Sequence, residues 1–203
     1  TDLVIQKRDK DRVSVFLDGQ FAIGLAAPVA ADLKIGQQLS LEDIEDLERK
    51  EQIEKAKKNA INLVSYRPRS VYEVQTHLQR KSFEEDAIDQ AVDYLTRLDL
   101  LDVVAFAKYW VEQRETFRPR SCFALSQELR KKGISREVID EVLEEVDETA
   151  AARRAAEKRA YRWAGLPENS YKEKMAGYLQ RRGFSYEIIR EILEESWREQ
   201  EET

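Results

Sequence analysis

Apolar and polar positions follow two different rhythms along this chain. Up to Leu25 the apolar residues come in short runs without a helical period: Leu3-Val4-Ile5, a charged turn Arg8-Asp9-Lys10-Asp11-Arg12, Val13-Ser14-Val15-Phe16-Leu17, then Asp18-Gly19 and a returning run over 20–25. Such runs read as strands, and Asp-Gly between two of them predicts a type I′ hairpin, whose central residues need positive φ. The expected product is a small three-stranded antiparallel sheet, followed by a short helix over 26–33 with Pro28 in its first turn. Ser40 then reads as an N-cap, with Glu42, Asp43 and Glu45 where the helix dipole favours negative charge. The helix over 41–54 is nearly all charged, with Ile44, Leu47 and Ile53 as its anchors, so it is expected to be a linker and to carry the domain boundary.

Beyond it the apolar positions recur with helical spacing and then recur again as a block. Tyr66-Arg67-Pro68-Arg69-Ser70 returns as Phe117-Arg118-Pro119-Arg120-Ser121 at an offset of 51 residues, which lays Val74 over Leu125, Leu78 over Leu129, Phe83 over Ile134, Ile88 over Ile139 and Val92 over Leu143. A third copy follows 50 residues after the second: Met175, Leu179, Gly183-Phe184-Ser185, Ile189 and Leu193. A fixed period of this kind is one supersecondary unit copied and stacked, because a single helix hairpin or triplet cannot bury its apolar face alone. Each copy reads as three helices. The first stops at the residue before Pro68, Ser70 with Glu73 and Ser170 with Glu173 read as capping boxes, and Ser82, Gly133 or Gly183 makes the turn between the second and third helices. The third helices are expected over 84–98, 136–146 and 186–197. The fold class is therefore mainly α, three tandem three-helix repeats after a β-rich module, with domains at 1–50, 51–101, 102–146 and 147–203.

Composition removes most alternatives to a helical binding protein. With 203 residues and 42% hydrophobic content the chain can fill a core, and no apolar run approaches the roughly 20 residues that cross a bilayer, so no membrane association is expected. No basic segment followed by an apolar one marks export, and a cytoplasmic location is expected. One cysteine and one histidine rule out an internal disulfide and a Cys/His zinc cage. Cys122 aligns with Val71 and reads as a small core residue. His77 aligns with Glu128 and Tyr178, a variation that predicts a surface position. There is no glycine-rich phosphate loop, metal-ligand spacing or nucleophile elbow, so no catalytic residue, cofactor, metal or small-molecule substrate is expected; the acidic clusters read as solvated helix faces.

The net charge of −6 argues against coating nucleic acid through bulk electrostatics, and attention passes to where the basic residues fall. Arg80-Lys81, Arg130-Lys131-Lys132 and Arg181-Arg182 close every second helix; dipole complementarity accounts for one cation at each end better than for two or three. Arg67, Arg69, Arg118 and Arg120 sit in the two Arg-Pro-Arg loops. Arg69 and Arg120 immediately precede a helix N-terminus, where the dipole disfavours a cation, so either a partner that presents phosphate or carboxylate or a solvated loop accounts for them, and their reversal is expected to leave the fold intact. The third repeat, with Leu166-Pro167-Glu168-Asn169-Ser170 in this place, carries instead a stripe of Arg154, Lys158 and Arg162, flanked by Tyr161 and Trp163.

With the repeats laid out, the chain resembles the RecX family, the regulators of the bacterial recombinase RecA. The run Leu100-Leu101-Asp102-Val103-Val104-Ala105-Phe106-Ala107-Lys108-Tyr109-Trp110-Val111-Glu112-Gln113-Arg114 is similar to the family hallmark LLDDxxFAxxWVxxR, and Leu129-Arg130-Lys131-Lys132-Gly133-Ile134 to its LrxKGI turn. Val103 replaces the second acidic residue of the hallmark and leaves Asp102 as the N-cap. The resemblance implies a curved array of three-helix units that lies in the groove of the RecA filament on single-stranded DNA and limits ATP hydrolysis, strand exchange and extension, as a monomer, with weak direct DNA contact allowed. The alternatives are a direct DNA-binding protein built of helix-turn-helix-like units and a passive structural adaptor.

Overall fold

The computed structural model describes residues 1–201, and side chains through Gln200, so the last two residues of the expected third repeat lie outside the described part. The chain divides into two compact units, Thr1–Leu101 and Asp102–Thr203.

In the first unit, β1 (Asp2–Ile5), β2 (Arg12–Leu17) and β3 (Gln20–Ala26) form an antiparallel sheet in that order. The hairpin turns at Asp18 and Gly19, both at positive φ (49° and 79°), and a register irregularity lies between Val15 and Phe16. One face buries Val15 and Leu25 against Ala30 of α1 (Ala27–Ala30) and Leu47. The expected short helix is a single turn.

The expected linker is not a separate element. Helix α2 runs unbroken from Leu41 to Tyr66, capped by a reciprocal Ser40–Asp43 box, so one helix serves both the sheet and the first repeat. Its polar look hides a tertiary contact: Glu51 is 1% exposed, accepts a 2.6 Å bond from the Ala26 N–H and lies 2.7 Å from Arg12 Nη2. A buried carboxylate with a backbone donor and a guanidinium ties the sheet to the middle of α2. Farther along, Ala56 and Ala60 pack with α3 (Val71–Arg80) and α4 (Glu85–Arg97) around Val74, Leu78, Ile88, Ala91 and Leu95.

The second unit holds two helix triplets, each with its own core. Helices α5 (Val103–Phe117), α6 (Cys122–Arg130) and α7 (Arg136–Glu144) enclose Phe106, Val111, Leu125, Leu129, Ile134 and Ile139. Helices α8 (Glu148–Ala160), α9 (Glu168–Gln180) and α10 (Tyr186–Glu201) enclose Ala151, Ala155, Tyr171, Met175, Leu179, Phe184 and Ile192. Asp102 caps α5 through Ala105 N–H at 2.9 Å. The expected Ser170 cap is displaced, because α9 begins at Glu168 after Pro167 and Ser170 lies inside it.

All three second helices end in the same way. Ser82, Gly133 and Gly183 take positive φ (59°, 76° and 90°), their N–H groups bond the carbonyls of Gln79, Arg130 and Gln180, and the next N–H groups, of Phe83, Ile134 and Phe184, reach back to Leu78, Leu129 and Leu179. This is a Schellman motif, and the apolar residue after the turn packs on the helix it closes. It leaves Arg80, Lys81, Arg130, Lys131 and Arg181 exposed at these helix ends.

Candidate functional site

The first Arg-Pro-Arg loop follows from the backbone rule at Pro68: Arg67 is extended, α2 ends, and Ser70 caps α3 by accepting from Glu73 N–H. The reciprocal half of the expected capping box is absent, because the Glu73 carboxylate turns to the loop instead. It accepts two bonds of 3.1 Å from the Arg67 guanidinium and lies 3.9 Å from Arg69.

In the second loop Arg118 is exposed, while Arg120 Nε lies 3.1 Å from Glu128 Oε1. Glu128 Oε2 accepts from Arg114 Nε at 2.6 Å and from the Trp110 indole N–H at 2.8 Å; Arg114 lies over the Trp110 ring at 4.4 Å, and Lys132 at 4.6 Å. Trp110 and Arg114 of the hallmark run are therefore joined to the loop through one carboxylate. The two loops are anchored from different positions, since Ala124 stands where the first repeat has Glu73 and His77 stands where the second has Glu128.

This corrects the reading of Arg69 and Arg120. A carboxylate of the following helix lies beside each, shared with a second arginine, so local structure does give a reason for arginine there, and reversing the charge is expected to cost stability.

The position shared by His77, Glu128 and Tyr178 is not a surface position either. His77 is half-buried, and burial, then the cations of Lys81, Arg69 and Arg80, hold its imidazole below the usual range. Tyr178 is 8% exposed, edge-on to Trp163 at 5.9 Å, with Arg182 at 4.6 Å and Arg159 at 5.3 Å from its ring. The variation seen in the sequence reflects three ways of meeting neighbouring cations.

Arg182 also joins the third repeat to the second. Its Nη1 donates to the Pro119 carbonyl at 2.8 Å, and its own carbonyl accepts from Ser121 N–H at 3.1 Å. Burial lowers its pKa, with the charges of Arg120 and Arg159 acting in the same direction. The second Arg-Pro-Arg loop thus receives the turn of the third repeat.

Two of the three stripe residues face the end of α5: Arg154 pairs with Glu115 at 2.9 Å and Lys158 donates to the Thr116 carbonyl, while Arg162 is exposed. Tyr161 is exposed and Trp163 packs on the third core. Cys122 is half-buried, and burial, assisted by Glu148 and Glu115, pushes its thiol up to about 12.

Of the basic residues singled out, Arg80, Lys81, Arg118, Arg130, Lys131, Arg162 and Arg181 are exposed and form no ion pair among the described residues. Among those residues no group of three or more His, Cys, Asp or Glu side chains could hold a metal ion, and no helix is long and apolar enough to cross a membrane. Sequence reasoning missed Glu73 and Glu128, whose signal was the arginine excess of the loops they neutralise.

Residues 1–40 match the RecX N-terminal domain, and residues 56–95, 104–143 and 145–193 match the first, second and third RecX three-helix domains. The chain is 32% identical over 201 residues to the regulatory protein RecX of Bacillus licheniformis, covering 97% of this chain and 76% of that protein. It is 28% identical to a RecX of Clostridium botulinum, covering 97% of this chain and 95% of that one. A crystal structure of a regulatory protein RecX superposes with a TM-score of 0.73 at 25% identity, over 94% of this chain and 96% of that one. RecX from Lactobacillus salivarius gives 0.59 at 28% identity, over 71% and 96%.

Proposed function

The chain belongs to the RecX family, and from that premise we propose that it regulates a RecA recombinase by binding the RecA filament on single-stranded DNA and limiting ATP hydrolysis, strand exchange and filament extension. The observation that carries this reading is the set of exposed cations left at the same Schellman-closed helix end of each repeat: Arg80 and Lys81, Arg130 and Lys131, and Arg181. Elsewhere in the repeats Arg67, Arg114, Arg120, Arg153 and Arg154 are bound to carboxylates. Charge presented once per repeat suits a partner that itself repeats, and an acidic total favours local contacts over bulk attraction to free nucleic acid.

Co-sedimentation tests this with three partners: RecA filaments on single-stranded DNA, naked single-stranded DNA and free RecA. The protein should pellet with filaments and lower their DNA-dependent ATPase as it is added. Charge neutralisation at Lys81, Lys131 and Arg181, all exposed, should shift inhibition to higher concentration. Strong pelleting with naked DNA at physiological salt and none with filaments would overturn it.

A further inference from the structure

The seam between the second and third repeats concentrates more arginine than matching acid. Arg182 lies against Tyr178 and the Pro119 carbonyl, and its Nε is buried without a hydrogen-bond partner among the described residues. Arg159, from the last turn of α8, approaches the same tyrosine ring, and neither guanidinium meets a carboxylate among the described residues. Arg120 adjoins them, one residue from Pro119, and shares Glu128, its one acid among the described residues, with Arg114 and the Trp110 indole. Arg118 and Arg181 flank the cluster and are exposed.

The first turn of α6 begins at the same place and adds the positive pole of its dipole. In a chain with 40 acidic and 34 basic residues, carboxylates are not scarce. Other arginines of the same unit are matched, Arg153 with Glu195 and Arg154 with Glu115, so the unmatched seam is a local feature.

We propose that Arg120, Arg159 and Arg182 form a phosphate-binding site at this seam. Planar guanidinium groups present paired N–H donors at the spacing of phosphate oxygens, which lysine does not. Tyr178 holds two of the three forks in place, so little side-chain freedom is lost on binding. The group bound is either one phosphate of a nucleic-acid strand or a free phosphate. The site adjoins Arg181, one of the cations assigned above to the filament, but rests on its own chemistry and can fail separately.

The test uses the whole protein and two probes, inorganic phosphate and a short oligothymidylate, at constant ionic strength set with chloride. Phosphate should raise the unfolding midpoint saturably, and calorimetric affinity should fall about tenfold or more in Arg159→Gln, with Arg159→Lys recovering only part. Arg159→Gln leaves the Arg182–Pro119 bond intact, which keeps the test valid where Arg182→Gln disturbs the fold. Oligothymidylate that binds and is displaced by phosphate assigns the site to a strand; phosphate binding without oligothymidylate binding assigns it to a free ligand. A wild type that responds to neither probe beyond chloride, or an Arg159→Gln variant that responds equally, overturns the site. If such a wild type still inhibits the filament ATPase, the filament reading stands without it.

Discussion

Reversing Arg120 to glutamate is the sharpest test of the loop geometry. Arg120 Nε lies 3.1 Å from Glu128, with side chains 39% and 17% exposed. Glutamate there would bring two carboxylates to about 4 Å, a repulsion of about 4 kcal/mol at an effective dielectric of 20. Exposure of the new side chain, which can swing to solvent, reduces that to about 1–2 kcal/mol, and the lost pair adds about 0.5–1 kcal/mol. A total of about 2 kcal/mol should lower the melting point of a unit of this size by about 10 °C.

Chemical denaturation of Arg120→Gln, Glu128→Gln and the double variant isolates the pair, with a coupling of about 1 kcal/mol expected. Glu128→Gln alone should cost more than Arg120→Gln, because Arg114 and the Trp110 indole use the same carboxylate. A coupling indistinguishable from zero, with Arg120→Glu as stable as wild type, would refute the pairing and return Arg120 to the partner-facing role inferred from helix electrostatics alone.

Three further outcomes follow from the packing. Ile134→Ala, which empties a buried position behind the Schellman turn, should cost about 2–5 kcal/mol in denaturant titration, and an unchanged midpoint would show that the side chain does not enter the second core. Glu51→Gln leaves Arg12 without its buried counter-charge and should cost about 3 kcal/mol, with limited proteolysis opening the β1–β3 module first; cleavage elsewhere first would deny the tie. Glu195 is held below the usual carboxylate range by its bonds to Arg153, so its contribution is present above the unfolded pKa near 4.3 and lost as pH falls through the lower folded value. The loss of stability on acidification should therefore be shallower in Glu195→Gln, and parallel curves would contradict the pair.

The repeats were legible because their signals are local. Apolar spacing, the proline that ends a helix and the glycines at 133 and 183 each act through their immediate neighbours, and the structure places the Schellman turns where those residues stand. Ser82 takes the same left-handed conformation without being glycine, and only its alignment with the other two identified it. What could not be read was where charge goes in three dimensions. Glu51 sits in a run of exposed acids and bases, and nothing in 41–54 distinguishes the one carboxylate that Arg12 and the Ala26 N–H will bury. A helix boundary was therefore placed where the helix continues. Glu73 reads as the capping-box partner of Ser70 and Glu128 as a helix-surface acid, so neither is expected to reach Arg69 or Arg120. The dipole argument was sound at each helix start, but it was outweighed by an ion pair from within the following helix.

The turn at Gly183 has a bearing on how the second unit comes apart. A side chain there would place its Cβ 2.5 Å from Ser121 Oγ and 3.1 Å from the Ala124 Cβ, so the two triplets meet backbone to cap with no room between them. Ser121 is fully buried, and its N–H is bonded to the Arg182 carbonyl. Freeing that turn exposes both the start of α6 and the end of α9, and Arg154 and Lys158 must release the end of α5 as well. In a nearest-neighbour description of repeat folding, these bonds are the interface term between two triplets that each keep their own core. Removing them should accordingly lower the melting point of both repeats of this compact unit and not of one alone.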